Sequence, residues 1–260
     1  MRWKLARSTS NLPIHRFWEI FGTGLLVNTE FDSNRGWLKD ARDTGLRAAR
    51  KNFKAGILLW LFGVTLVVSY YQWPLARGIL DQVAQWKNEW GFRFSIVSTA
   101  LFGGLIPSLI IAMNSHFSKA RNLYLIGTNV FLWGLKGVEL DLLYRGQAYL
   151  FGADNHIMTI ICKMLVDQFI YAPTLGLSNV ILFVLWRDLD FSWKKFRIAL
   201  GPHWYRQRIL PVVISNWVLW IPAVLLIYSL PTSLQLPIQN LVLVFWMLIL
   251  FFFTTGRNVA

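Results

Sequence analysis

Lys163 and Asp167 stand four residues apart inside the apolar run from Met158 to Trp186, and Lys136, Glu139 and Asp141 repeat the theme in the run before it. Four residues make about one helical turn, so an α-helix would set Lys163 and Asp167 on one face, within reach of an ion pair. Lys136 and Glu139 are three apart and equally suited to pairing. Asp141 points to another face and is expected near the outer boundary. Charges at membrane depth are costly, and they persist where they pair, face a bundle interior or line a wet cavity. Two kinds of chemistry fit such groups: pairing that locks helices together, and compensation of the charge on a passing solute. Asn129, two turns before Lys136, Gln168 beside Asp167, and Asn179 beyond it add polar groups that suit either an aqueous path or interhelical hydrogen bonds. The spacing leaves open whether Lys136 pairs within its own helix or reaches Asp167.

Signals for catalysis are poor. The chain holds no HExxH, GxSxG, Walker loop or dinucleotide fingerprint, so no catalytic residue, cofactor or metal is expected. His15, His116 and His203 fall on one expected side of the membrane but are scattered in sequence, and His156 lies on the other. Asp188 and Asp190 sit near Lys194, Lys195 and Arg197, where ordinary ion pairing is the simpler reading. An enzyme acting on lipid phosphates would need His203, Asp188 or Asp190 to converge. Cys162 is the sole cysteine, which leaves no intrachain disulfide and is read as a packed small side chain.

The elements that must position these residues are long apolar helices. The chain has 260 residues, 55% of them hydrophobic and only 15% charged, with 14 Trp and 19 Phe. Ala55–Trp73, Phe94–Met113, Ile209–Leu230 and Leu236–Thr255 carry no charge, and each approaches or exceeds the roughly 20 residues a helix needs to cross the hydrocarbon. With two charged runs added, the expected fold is an all-α, polytopic transmembrane helix bundle of about six spans: 55–73, 94–113, 122–144, 157–186, 208–230 and 236–254. The fourth is too long for one perpendicular helix and is expected to tilt or break near Pro173. Gly103, Gly104 and Pro107 mark a similar weak point in the second.

Residues 1–54 read as a basic, amphipathic, membrane-proximal arm, and 55–260 as the transmembrane domain. In the arm, Trp37, Leu38, Ala41, Leu46, Ala49 and Phe53 recur near helical period, with Lys39, Arg42, Arg47, Arg50 and Lys51 between them. A helix lying in the interface and a solvated helix docked on the rest of the protein fit this pattern equally. Met1–Asn11 is basic, but no apolar core follows before Glu19, so no cleavable signal peptide is expected. The segment Pro74–Gly91 is expected along the outer interface through Ile79, Val83, Trp86 and Trp90, and Trp186, Trp193, Trp204 and Trp217 are read as interface anchors.

The formal charge of +13 does not point to nucleic acid, because the basic residues flank apolar runs. Eleven of the 26 Lys and Arg precede Ala55 and six lie between Arg187 and Arg208. That asymmetry places both termini on the cytoplasmic or matrix side and predicts anionic lipid headgroups as partners of the arm and of the inner loop.

From about Ile96 onward the chain resembles the Mpv17/PMP22 family of organellar membrane proteins. KMLVDQFIYAP, Lys163–Pro173, is similar to that family's K-M-x-x-D-Q…P segment, and SNWVLWIP, Ser215–Pro222, to its N-Y-x-x-W-P element. Pro237–Trp246 has the placement of its last helix, and Tyr144 that of a tyrosine in its W-Y pair. The matched family positions are Lys163, Asp167, Gln168, Asn216 and Trp220. The chain departs elsewhere: Val224 and Ile227 stand near the family's Gln and Asn, Ile106-Pro107 replaces a Gly-Asp pair, and the arm and first span are additional. The resemblance implies a distant, bacterial member in the inner (plasma) membrane, with an organellar inner membrane as the alternative. It also implies weakly selective channel activity.

Two functions follow. The first is a channel or facilitator for small polar or anionic solutes, lined by Asn129, Lys136, Glu139, Lys163, Asp167 and Gln168. The second is a non-catalytic structural or lipid-interacting protein in which the same charges lock helices. Self-association into a homo-oligomer is compatible with both.

Overall fold

The computed structural model describes residues 36–113 and 118–255, with side chains through Ile249. His15 and His116 lie outside the described residues, as do the first 35 residues of the arm. The described chain forms eight helical elements: α1 (Trp37–Gln72), α2 (Pro74–Trp90), α3 (Phe92–Met113), α4 (Lys119–Phe151), α5 (Ile157–Asp188), α6 (Trp193–Leu200), α7 (Tyr205–Tyr228) and α8 (Thr232–Thr255). No strand occurs among the described residues, and the fold is the expected all-α bundle. Five helices, α1, α3, α5, α7 and α8, are long and apolar enough to cross a bilayer. The chain is therefore an integral membrane protein. The expected third span lies within α4, whose 33 residues measure roughly 50 Å at helical rise. Lys136, Glu139 and Asp141 keep its composition outside that apolar group.

The boundary expected at 54/55 falls inside a continuous helix of 36 residues. Contacts divide the described chain into two compact units, which cut through helices rather than between them. One takes in the chain up to Lys54, Asp167–Trp220 and the chain from Leu250; the other takes in Ala55–Val166 and Ile221–Ile249.

In the first unit the start of α1 docks on α7 through small residues. Ala41, Thr44, Ala48 and Ala49 are buried, and at Gly45 an added Cβ would lie 2.7 Å from the Pro211 carbonyl oxygen and from the Ile214 Cβ. Small side chains at such a seam let two backbones approach closely. Arg42, Arg47, Arg50 and Lys51 remain exposed on the other side. This stretch of α1 thus packs on α7 while its basic side chains stay exposed.

In the second unit α3 lies against α4. The chain widens into a π-helical turn over Ala100–Leu105, at the expected weak point. There the Ile106 amide donates to the Leu101 carbonyl, five residues back, and Pro107 has no amide hydrogen to donate. Widening the turn accommodates a proline that an α-helical turn would force against the preceding carbonyl. Gly103 and Gly104 then meet α4 closely: a Cβ on either would come within 2.7 Å of the Trp133 ring or 2.9 Å of the Val130 Cα. Gly137 faces the Ser95 carbonyl at a separation that no Cβ could share. Gly137→Ala is expected to force the two helices apart and lower the unfolding free energy by about 1–3 kcal/mol, as overpacking does. Denaturant unfolding in detergent micelles measures it, and an unchanged midpoint would contradict the packing.

Candidate functional site

The first unit contains a π-helical stretch, Asp167–Gly176, with Pro173 inside it. In this register an amide donates to the carbonyl five residues back, as Leu177 does to Ala172 at 2.9 Å. The residue five beyond Gln168 is Pro173, which has no N–H. The Gln168 carbonyl is thus left without a helical donor, and buried backbone acceptors are rarely left unmet. The Trp217 indole Nε1 on α7 donates to it at 2.6 Å, and the same ring packs on Phe169 with centroids 4.9 Å apart. Trp217, expected as an interface anchor, supplies the donor that proline removes from the neighbouring helix.

The Gln168 side chain spans two further candidates. Its Nε2 donates to Asp167 Oδ1 at 3.2 Å, and its Oε1 accepts from Asn216 Nδ2 at 3.1 Å. Asp167, Gln168 and Asn216 therefore form one linked group. Trp220 is partly buried one turn beyond Asn216 on α7. The Pro173 carbonyl accepts from Ser178 Oγ at 2.7 Å and from Tyr205 Oη at 3.1 Å. Trp217→Phe keeps the ring but removes the donor to Gln168. Leaving a buried acceptor unsatisfied lowers stability by about 1–3 kcal/mol, so this variant should melt earlier in detergent, and a wild-type melting curve would argue against the role.

A charged cluster in the second unit, among the described residues, was not anticipated. Lys87 Nζ lies 2.8 Å from Asp141 Oδ1, Ser95 Oγ donates to Asp141 Oδ2 at 2.8 Å, and Arg145 reaches both oxygens at 3.0 and 3.3 Å. Asp141 is 2% and Lys87 5% exposed. Burial holds the Lys87 ammonium below the ordinary lysine range, opposed by its hydrogen bond to Asp141 and by that carboxylate's charge. Arg145 also lies over the Phe92 ring at 4.9 Å. Asp141, expected near the outer boundary, pairs with Lys87 of α2, the segment expected along the outer interface. Ile79, Trp86 and Trp90 point outward, whereas Ala84 and Lys87 are buried. Apolar groups suit a lipid-facing surface, so a membrane-associated helix can carry its polar face inward.

No protein-family model, curated protein or solved structure matches this chain.

The remaining candidates fall into distinct local arrangements. Lys136 pairs with Glu139 in its own helix at 2.6 Å, as the three-residue spacing allows. Asn129 Nδ2 donates to Ser108 Oγ at 2.9 Å, joining α4 to α3. Asn240 Nδ2 on α8 donates to Ser98 Oγ and Thr99 Oγ1, both at 3.1 Å. In the first unit Arg187 pairs with Asp188 at 2.8 Å, both almost wholly buried. Lys163 is different. It is 1% exposed, its backbone carbonyl accepts from Gln147 Nε2 at 3.1 Å, and it makes no ion pair among the described residues. That corrects the pairing expected of it: four-residue spacing presumes one unbroken α-helical phase, and α5 changes to π at Asp167. His156 and His203 are exposed, and no group of three or more His, Cys, Asp or Glu among the described residues could hold a metal ion. Cys162 is a free thiol, half-buried.

Proposed function

We propose that this protein is a membrane channel or facilitator for small polar or anionic solutes, and that Lys163 is the cation such solutes meet. Lys163 itself is the observation that carries the reading. Of the buried basic side chains, Lys87, Lys136 and Arg187 each sit on a carboxylate, while Lys163 makes no ion pair among the described residues. An ammonium at membrane depth stays charged only with a counter-charge or water beside it, and intramembrane ionisable groups concentrate on solute paths. A passing anion is the complementary partner. Membership of the Mpv17/PMP22 family and an inner-membrane location, bacterial or organellar, with both termini on the cytoplasmic or matrix side, belong to the same proposal. The hydrogen-bonded linkage of Asp167, Gln168 and Asn216, three of the matched family positions, supports it. Purified protein in liposomes should release a small organic anion faster than protein-free liposomes do. Equal release would remove the proposal.

A second reading, a structural membrane protein, is favoured by the closed network around Asp141, in which every charge has a partner. It predicts a stable bundle with no flux.

A further inference from the structure

The connection between α5 and α7 joins two helices of membrane-spanning length, so it lies at a membrane face whichever face that is. Within it, α6 is held in one attitude. Asp190 and Phe191 adopt left-handed backbone angles, φ 56° and 54°, which non-glycine residues rarely take without local support. Aromatic packing supplies it. Phe191 sits edge-on to Trp186 at 5.0 Å and to Phe183 at 6.0 Å, while the buried Phe196 stacks on Trp193 at 5.5 Å. Ser192 caps the helix by accepting from the Lys195 amide.

This fixed helix presents a surface pocket lined by Trp193, Lys194, Arg197 and Ile198. These positions are neighbours on one helical face. Trp193 is 62% and Ile198 72% exposed, large apolar groups left uncovered beside two cations. Lys195 is already engaged, with Asp190 at 3.7 Å. Lys194 and Arg197 make no ion pair among the described residues.

We propose that this pocket binds the phosphate of an anionic lipid headgroup, with Lys194 and Arg197 on the phosphate and Trp193 and Ile198 in the acyl–headgroup boundary. A free phosphate would use the two cations but would leave the Trp and Ile side chains in water. A lipid satisfies both halves, and basic residues beside interfacial aromatics are the chemistry that anionic membrane surfaces attract. The site is independent of whether solutes cross the protein.

The test uses the full chain in a non-ionic detergent. Its unfolding temperature is followed by circular dichroism while dioctanoyl phosphatidylglycerol, dioctanoyl phosphatidylcholine or inorganic phosphate is added. Phosphatidylglycerol should raise that temperature by several degrees more than phosphatidylcholine, and inorganic phosphate should not. The double variant Lys194→Gln/Arg197→Gln should keep the phosphatidylcholine response and lose more than half of the phosphatidylglycerol excess. Lys194→Arg/Arg197→Lys should retain that excess, which separates charge from folding. Trp193→Ala should reduce it in the same direction. The proposal is overturned by equal responses to the two lipids, by a phosphate response that matches phosphatidylglycerol, or by a double variant that keeps the full excess. Neutralising Arg50 and Lys51 on α1 locates any share of the response that belongs to the other basic face.

Discussion

Asp141→Asn should lower the unfolding free energy by about 3–5 kcal/mol, the range for removing one partner of a buried ion pair. Lys87 is the reason. Its ammonium is buried against Asp141 Oδ1, and the amide that replaces the carboxylate offers an oxygen dipole where a full charge stood. Arg145 is half-exposed at its side chain and can turn to solvent, so it loses little. Ser95 keeps a partner in the amide oxygen or in the Gly91 carbonyl, which it already approaches at 3.3 Å. The loss therefore falls chiefly on Lys87. The double variant Lys87→Met/Asp141→Leu should recover much of it, because a buried pair replaced by apolar groups of similar size is often neutral. Chemical denaturation of the purified protein in micelles measures all three proteins. An Asp141→Asn midpoint equal to wild type would mean that the cluster is not buried as described.

Lys163→Met should behave in the opposite way. Methionine keeps a flexible unbranched stem and removes a charge that has no ion-pair partner among the described residues, so stability should hold or rise. Solute release from liposomes should fall to near the protein-free rate. Lys163→Arg, which keeps the charge in a larger head, should retain part of the flux. Stability and flux moving apart is the diagnostic, since a purely structural Lys163 would lower both or neither. Full flux through the Met variant would take Lys163 off the path.

Long apolar runs made the architecture legible, because a bilayer demands about 20 uncharged residues per helix and few other folds produce them repeatedly. The irregular turns were legible for a related reason. Proline cannot donate, so Pro107 and Pro173 announced the places where α3 and α5 become π-helical. The remedy at Pro173 was not readable: Trp217 lies 44 positions beyond it, and nothing local links an indole to a stranded carbonyl. Lys136 with Glu139 followed from spacing because both sit on uninterrupted α-helix. Lys163 failed the same rule at a change of helical phase. Lys87 with Asp141 was hidden by a separation of 54 positions along the chain. In α2 the buried face is the one with Ala84 and Lys87.

On the proposed function, anions pass Lys163, a buried lysine that makes no ion pair among the described residues. The most direct measurement is the reversal potential of the purified protein in a planar bilayer under an asymmetric potassium chloride gradient. A conductance whose reversal potential lies on the chloride side of zero is expected, and Lys163→Met should lose most of that conductance. A reversal potential on the potassium side, or a bilayer that conducts no better with the protein than without it, would contradict it.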